Sequence, residues 1–301
     1  MSYLGIDVGG TKVALRLEGS GRKSYDTSFG WNSTKNRRSQ GPADDLAMLA
    51  DKVRELRGCW QEPIQAVGVA MPATLDGSGR VLAWPGRPGW VGVELWTLLC
   101  TLFPDTEVRC ADDGDLAAVA EAREVGCADL VYIGVGTGIG GGIVSGGRSF
   151  PGRTRGSCEI GHVVIDRCGA GCDCGRRGCL QAVASGPATL RRAAELRGND
   201  VTFAELRCAV LAGQSWAVSA VEDSAAALAA AVISVSELLH PSLVLIGGGF
   251  AAQLPCLVQA VSAEVARLAR PGSPPPPVQV AVLGGLSSLY GAVLAARGLA
   301  G

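Results

Sequence analysis

The chain has 301 residues, too many for one small core and enough for one bilobal domain or two fused domains. With 48% apolar and 18% charged residues it excludes a disordered class. A formal net charge of -1 gives no global field to draw in nucleic acid or an anionic membrane, so neither is an expected partner.

Read in chain order, Tyr3–Val8 is an apolar run, Gly9-Gly10-Thr11 a turn, and the run from Lys12 to Leu17 alternates: strand, turn, strand. The first strand follows Met1 almost at once, so no export leader is expected and the expected location is cytoplasmic. A helix is expected over Ala43–Arg57, then strands over Ile64–Ala70, Val108–Ala111 and Leu130–Val135, with an alanine-rich helix at Leu116–Glu124. Further helices are expected at Ser185–Leu196 and Val218–Leu239. The stretch Ala225–Leu239, interrupted by Ser234, Ser236 and Glu237, reads as a core helix too short and polar to span a bilayer. Strands follow at Leu243–Ile246 and Val278–Leu283, and a last helix from Ser287 to Arg297. Alternating strands and helices predict an α/β fold. Glycine-rich hairpins near residues 9 and 138 suggest two related halves facing a cleft.

The turn Asp7-Val8-Gly9-Gly10-Thr11-Lys12 offers close backbone approach, a hydroxyl, a positive charge and a carboxylate able to hold magnesium through water. Two glycines alone favour the reading as an ordinary hairpin. Gly134–Gly142 has six glycines in nine positions, including Gly136 and Gly138 around Thr137, more than a hairpin needs. It is neither a Walker A loop nor a Rossmann fingerprint. A third patch, Gly247-Gly248-Gly249, follows a strand and could admit a base or ribose. Three such turns favour a nucleotide cleft.

Asp112-Asp113-Gly114-Asp115 follows a strand and opens a helix, where α/β proteins place chemistry. Asp115 has a good alternative reading as the helix N-cap. Three carboxylates in four positions cannot all cap, and one beside a transferable phosphoryl group can take the proton of an attacking hydroxyl.

The eleven cysteines are an odd number with no leader, so a disulfide framework is a poor reading. His162, Cys172, Cys174 and Cys179 instead supply an imidazole and three thiolates, a closed tetrahedral set of the structural zinc type. Cys168 is a spare that could compete.

Taken together, Asp7–Lys12, the glycine run 136–142, Glu159-Ile160-Gly161-His162 and Cys172–Cys179 resemble the ROK family (repressors, open reading frames and kinases) over nearly the whole chain. The resemblance implies an actin-like, hexokinase-like ATPase fold with two lobes around a central cleft. It implies a small N-terminal lobe over 1–111, completed by the C-terminal helix 287–301, and a large lobe over 112–286 carrying the zinc site. Asp113 looks like the family's catalytic base. Glu159 and His162 look like sugar-hydroxyl ligands, with His162 binding zinc through its other nitrogen. Gly9, Gly10, Thr11, Lys12, Gly136, Thr137 and Gly138 look like phosphate loops, Gly247–Gly249 like part of the adenosine site, and Gly89-Trp90 like the Pro-Gly-Trp stretch near the sugar. The implied reaction is in-line transfer of the ATP γ-phosphoryl group, with magnesium, to a primary hydroxyl. A homodimer, common in the family, is also expected.

The departures bear on the substrate. Family sugar kinases usually read Asn-Asp-Ala-Asn where this chain has Asp112-Asp113-Gly114-Asp115, Ala-Gly-Glu where it has Ser157-Cys158-Glu159, and Leu-Glu where it has Leu180-Gln181. Donors and acceptors are thereby rearranged at Asp112 and Gln181, which should change the preferred hydroxyl pattern. A hexose phosphorylated at its 6-hydroxyl leads. A C7 cyclitol phosphorylated at the equivalent hydroxymethyl is the alternative. A repressor would need a helix-turn-helix domain ahead of residue 3, and a non-catalytic sugar sensor fits poorly with Thr11, Asp113 and Thr137.

Overall fold

A computed structural model of the chain describes residues 1–10, 12–31, 41–84, 87–152 and 157–300, with Arg22 described by its backbone alone. Thr11, expected at the first phosphate turn, lies outside the described residues. The chain divides into two compact units. The first comprises Met1–Ala120, Pro151–Ser157 and Ser287–Gly301, and the second Glu121–Phe150 and Cys158–Leu286.

The first unit is built on strands β1 (Ser2–Val8), β2 (Lys12–Glu18), β3 (Ser24–Gly30) and β4 (Ile64–Ala70), a short ribbon of β5 (Thr74–Leu75) and β6 (Val81–Ala83), and β7 (Glu107–Ala111). The main sheet runs β3-β2-β1-β4-β7. β1 is antiparallel to β2 and parallel to β4, and β4 is parallel to β7. Leu4, Ile6, Val67 and Val69 share one face and are fully buried, while Gly5 and Gly68 on the opposite face lie against the C-terminal helix, so these central strands are covered on both sides. Helix α1 (Pro42–Cys59) has proline at its start, Asp44 and Asp45 in its first turn, and buries Leu49, Val53 and Leu56 at helical spacing. Helix α2 (Leu95–Leu102) adds Leu95 and Leu99 to the same core.

The C-terminal helix, Ser287–Ala296, packs on β1 and β4. It lies so close that a Cβ at Gly68 would stand 1.8 Å from the Ala292 carbonyl oxygen, and one at Gly5 2.6 Å from Val293 Cγ2. Glycine at these positions sets the helix–sheet distance.

The second unit repeats the plan. Strands β8 (Leu130–Val135), β9 (Ile139–Ser145), β10 (Arg148–Phe150), β11 (Leu243–Gly247) and β12 (Val278–Val280) lie in the order β10-β9-β8-β11-β12. Two antiparallel pairings are again followed by two parallel ones. The duplication expected from the two glycine hairpins is thus a duplication of sheet topology.

Helices in chain order are α3 (Asp113–Val125), α4 (Leu180–Ala184), α5 (Gly186–Arg197), α6 (Phe203–Leu211), α7 (Ser215–Leu239), α8 (Gly248–Ala251) and α9 (Pro255–Arg267). α7 begins at Ser215, ahead of the apolar stretch read from the sequence, and at that full length and composition alone it could cross a membrane. In the fold it packs against α4, α5 and α9 and buries Ala217, Ala220, Val221, Ala225, Leu228 and Val232, as a core helix does. Its small residues admit close neighbours.

The late strand expected over Val278–Leu283 stops at Val280. The N–H groups of Val282 and Leu283 donate to the buried Glu121 carboxylate at 2.9 and 3.0 Å, so a side chain takes over from the sheet ladder. Sequence reading passed over β3, α2 and α6. β3 is an edge strand with no fully buried position, and its alternating Tyr25, Thr27 and Phe29 make only a short, weak signature. α6 does carry one: Thr202 and Glu205 form a reciprocal capping box.

Candidate active site

In the first unit, Asp7 is the penultimate residue of β1, and the turn to β2 is closed by Gly9 N–H donating to the Lys12 carbonyl at 2.9 Å. Burial pushes the Asp7 carboxyl up to about 7, the negative charge of Asp113 adds to the rise, and Lys12 opposes it. Asp113 begins α3 directly after β7. The cap is Asp112, not Asp115: Asp112 Oδ1 accepts from the N–H groups of Gly114 (3.0 Å) and Asp115 (3.3 Å). Capping fixes one carboxylate oxygen of Asp112 against the helix. Asp7 and Asp113 therefore form an anionic locus suited to a divalent cation, the role expected of Asp7.

Gly89 is exposed on a short 3₁₀ turn, Pro88–Trp90, while the Trp90 indole turns inward, 5% exposed. Its Nε1–H donates to Asp45 Oδ2 at 2.8 Å. That carboxylate, on α1 and 1% exposed, also pairs with Arg87. The Arg87 guanidinium lies 3.9 Å over the Trp31 ring, and Trp31 Nε1–H donates to the Gly9 carbonyl at 2.8 Å. Sequence reading missed Trp31, Asp45 and Arg87. A lone arginine inside Pro-Gly-Arg-Pro-Gly-Trp was the available hint, but its carboxylate partner is remote in the chain.

In the second unit, Gly136 N–H closes the β8–β9 turn on the Gly138 carbonyl at 2.9 Å. The first N–H of α5, from Gly186, donates to the Gly136 carbonyl at 2.9 Å. Thr137 is exposed at the tip. β11 pairs in parallel with β8, bringing Gly247 opposite Gly134, so two of the glycine patches meet at the carboxyl ends of adjacent strands. Gly248 has φ +85°, and a Cβ there would lie 2.6 Å from the backbone of Val135. Gly249 follows in the first turn of α8.

Exposed Glu159 precedes the 3₁₀ turn Ile160–His162, and its carbonyl accepts from His162 N–H at 2.9 Å. His162 Nδ1 faces Cys172 Sγ at 3.7 Å, and Cys174 Sγ lies 3.7 Å from Cys179 Sγ. All four ligand atoms fall within 4.8 Å of one another. Zinc–sulfur bonds of about 2.3 Å arranged as a tetrahedron put sulfurs about 3.8 Å apart. Donor types and spacing both fit zinc. The loop is held by Cys172 N–H to the Arg176 carbonyl (2.8 Å) and Gly178 N–H to the Ala170 carbonyl (2.8 Å). Exposed Cys168 is not one of the four.

Burial pushes the Cys172 thiol up, but hydrogen bonds from Cys174 and Gln181 outweigh it and bring the thiol below its usual range. Burial and the neighbouring sulfurs push Cys179 up. Gln181, expected among the sugar ligands, directs Nε2–H to Cys172 Sγ at 3.5 Å, and its Oε1 lies 3.3 Å from where a Cβ on Gly138 would be. It joins the thiolate cluster to the β8–β9 turn.

Known proteins resemble this chain along its whole length. It is 57% identical over 291 residues to the kanosamine kinase of Amycolatopsis mediterranei (strain S699), covering 97% of this chain and 94% of that one. The crystal structure of a ROK hexokinase from Thermus thermophilus matches with a TM-score of 0.81 at 29% identity, covering 99% of this chain and 98% of that one. A ROK family glucokinase from Streptomyces griseus, solved in complex with glucose and AMPPNP, shares the fold with a TM-score of 0.84 at 23% identity, covering 99% and 100%. The repeated five-stranded topology is that of the actin-like ATPase fold. The family pattern itself runs from residue 3 to residue 298, and with it the chain belongs to the ROK family.

Proposed function

We propose that this ATP-dependent sugar kinase acts on an aminohexose of the kanosamine type, transferring the ATP γ-phosphoryl group to its primary hydroxyl. The observation carrying this reading is the 57% identity, over 97% of the chain, to a kanosamine kinase.

Asp112 supplies a physical reason. Its Oδ1 is committed to the amide N–H groups of Gly114 and Asp115, which fixes the rotamer and leaves Oδ2 as the second terminal atom. An asparagine capping the same way would present an NH₂ donor there, and Asp112 presents an acceptor. Kanosamine has an amine where glucose has its 3-hydroxyl. Once protonated the amine only donates, so a carboxylate pairs with it and an amide nitrogen does not.

In this reading Asp113 accepts the proton of the attacking hydroxyl. Glu159 and His162 Nε2 hold sugar hydroxyls. The N–H groups around Gly9–Gly10 and Gly136–Gly138 line the phosphates, with Lys12 adding positive charge and Gly247–Gly249 beside the adenosine. Magnesium, held through water by Asp7, would neutralise charge on the phosphate oxygens. Zinc at His162, Cys172, Cys174 and Cys179 would be structural, fixing the His162 ring. Cytoplasmic residence agrees with the use of ATP, and a homodimer is the proposed assembly. The smaller lobe is proposed as the first unit.

The test is an ADP-release assay with MgATP over kanosamine, glucose, N-acetylmannosamine and C7 cyclitols. Kanosamine should give the highest kcat/KM, and Asp112→Asn should lower it about 10- to 100-fold while changing glucose far less. Preference for glucose in the unmodified enzyme would defeat the aminohexose reading. Preference for a cyclitol, which the relatives do not separately support, would replace it with the carbasugar alternative.

A further inference from the structure

Around Arg87 the first unit contains an arrangement that its core alone does not require. Four side-chain atoms are buried without a hydrogen-bond partner among the described residues. Three of them, Asp45 Oδ1, Trp84 Nε1 and Arg87 Nε, lie in one cluster. The Trp84 and Trp90 ring centroids are 4.9 Å apart, and Phe29 meets Trp31 edge-on at 5.6 Å. A buried ion pair of this kind is a poor route to stability, because desolvating both charges offsets most of their attraction, and the orphaned atoms add to the cost. An apolar pair in the same space would be at least as stable. The cluster calls for another explanation.

Its connectivity offers one. Arg87 has two arms. Through its ion pair it meets Asp45, whose other contact is the Trp90 indole, so this arm fixes the Pro88–Trp90 turn. Through its flat face it stacks on Trp31, which grips the Gly9 carbonyl, so the second arm fixes the turn between β1 and β2. Only a planar cation serves both arms at once: guanidinium stacks on an indole while its edge pairs with a carboxylate, and an ammonium cannot do the same.

We propose that Arg87 and Asp45 are positioning residues for phosphoryl transfer, holding the sugar-side turn at Gly89 and the phosphate turn at Gly9 in fixed register. This rests on the assignment of those two turns under the kinase reading. Neither side chain touches a reacting atom. Each acts through an indole, and misplacing a turn by a fraction of an ångström is costly to an in-line reaction.

The two arms make separable predictions. Arg87→Lys keeps the charge for Asp45 but loses the stack on Trp31, so the KM for MgATP should rise about tenfold with the sugar KM near that of the unmodified enzyme. Asp45→Asn loses the ion pair but keeps the stack, so the sugar KM should rise by a similar factor of about ten and the MgATP KM stay nearly constant. Arg87→Met should raise both. Circular dichroism and melting temperature on the same samples establish that each variant is folded. A purely structural role would lower the melting temperatures and leave both KM values unchanged, and that result overturns the proposal, as does an equal effect of Arg87→Lys and Asp45→Asn on the two substrates. The sugar used is whichever the panel identifies, so failure of the kanosamine assignment leaves this test intact. Were no sugar turned over, the kinase reading would fail by itself. Direct titration with MgAMPPNP would still decide the phosphate arm, which requires weaker binding in Arg87→Lys and unaltered binding in Asp45→Asn.

Discussion

The charge of Asp113 reaches Asp7: together with burial it lifts the Asp7 carboxyl to about 7, against the pull of Lys12. In the unfolded chain Asp7 ionises near 3.8. Between those values the native state holds a proton that the unfolded state has released, so stability falls as pH rises from about 4 to about 7 and is level above that. The loss is on the order of 4 kcal/mol, from about 1.4 kcal/mol for each unit of separation. Denaturant unfolding across pH 4–8 in the absence of nucleotide should show this decline, and Asp7→Asn should flatten it. An unchanged slope in Asp7→Asn would show that other groups set the dependence.

Replacing Asp113 by asparagine tests both halves of the same relationship. The chain should stay folded, because the α3 cap resides in Asp112. Turnover should fall by about 10²- to 10⁴-fold, the span associated with loss of a general base. The decline of stability should also move to lower pH, since one cause of the Asp7 shift has been removed. Full turnover in this variant would sink the assignment of the base.

The thiolate cluster makes a different prediction. Metal analysis of the purified protein should find one zinc per chain, and Cys174→Ser should release it and cost on the order of 4 kcal/mol of stability. Cys168→Ser should leave the metal content unchanged, since that cysteine lies outside the cluster. Cobalt substitution provides a readout independent of activity: thiolate-to-metal absorption should appear in the unmodified protein and weaken in Cys174→Ser. Protein with no zinc and no cobalt spectrum would remove the metal site.

Much of the fold was legible because the signals are local. β1, β4 and β8 are short apolar runs closed by turns, and their burial on both faces requires nothing else of the sequence. The Cys172–Cys179 spacing announces a metal loop because chelation is a short-range constraint. β3 was illegible for the converse reason. It is an edge strand held by backbone pairing to β2, and its alternation of Tyr25, Thr27 and Phe29 with Ser24, Asp26 and Ser28 is too short and too exposed to stand out. The early end of β12 was equally hidden, since the Glu121 carboxylate that receives Val282 and Leu283 sits far away in sequence.

By itself, then, the sequence determined the alternation of strands and helices, the three glycine turns, the carboxylates at 112–115 and the four metal donors, all of them patterns within fewer than about twenty residues. Tertiary structure alone decided that Asp112 rather than Asp115 caps α3, that Trp90 turns inward to Asp45, that Gln181 faces Cys172, and that Arg87 lies between Asp45 and Trp31. The physical reason is range: helix periodicity, turns and chelating spacings follow from neighbouring residues, whereas a buried charge finds its partner only after the sheet and helices have brought distant segments together.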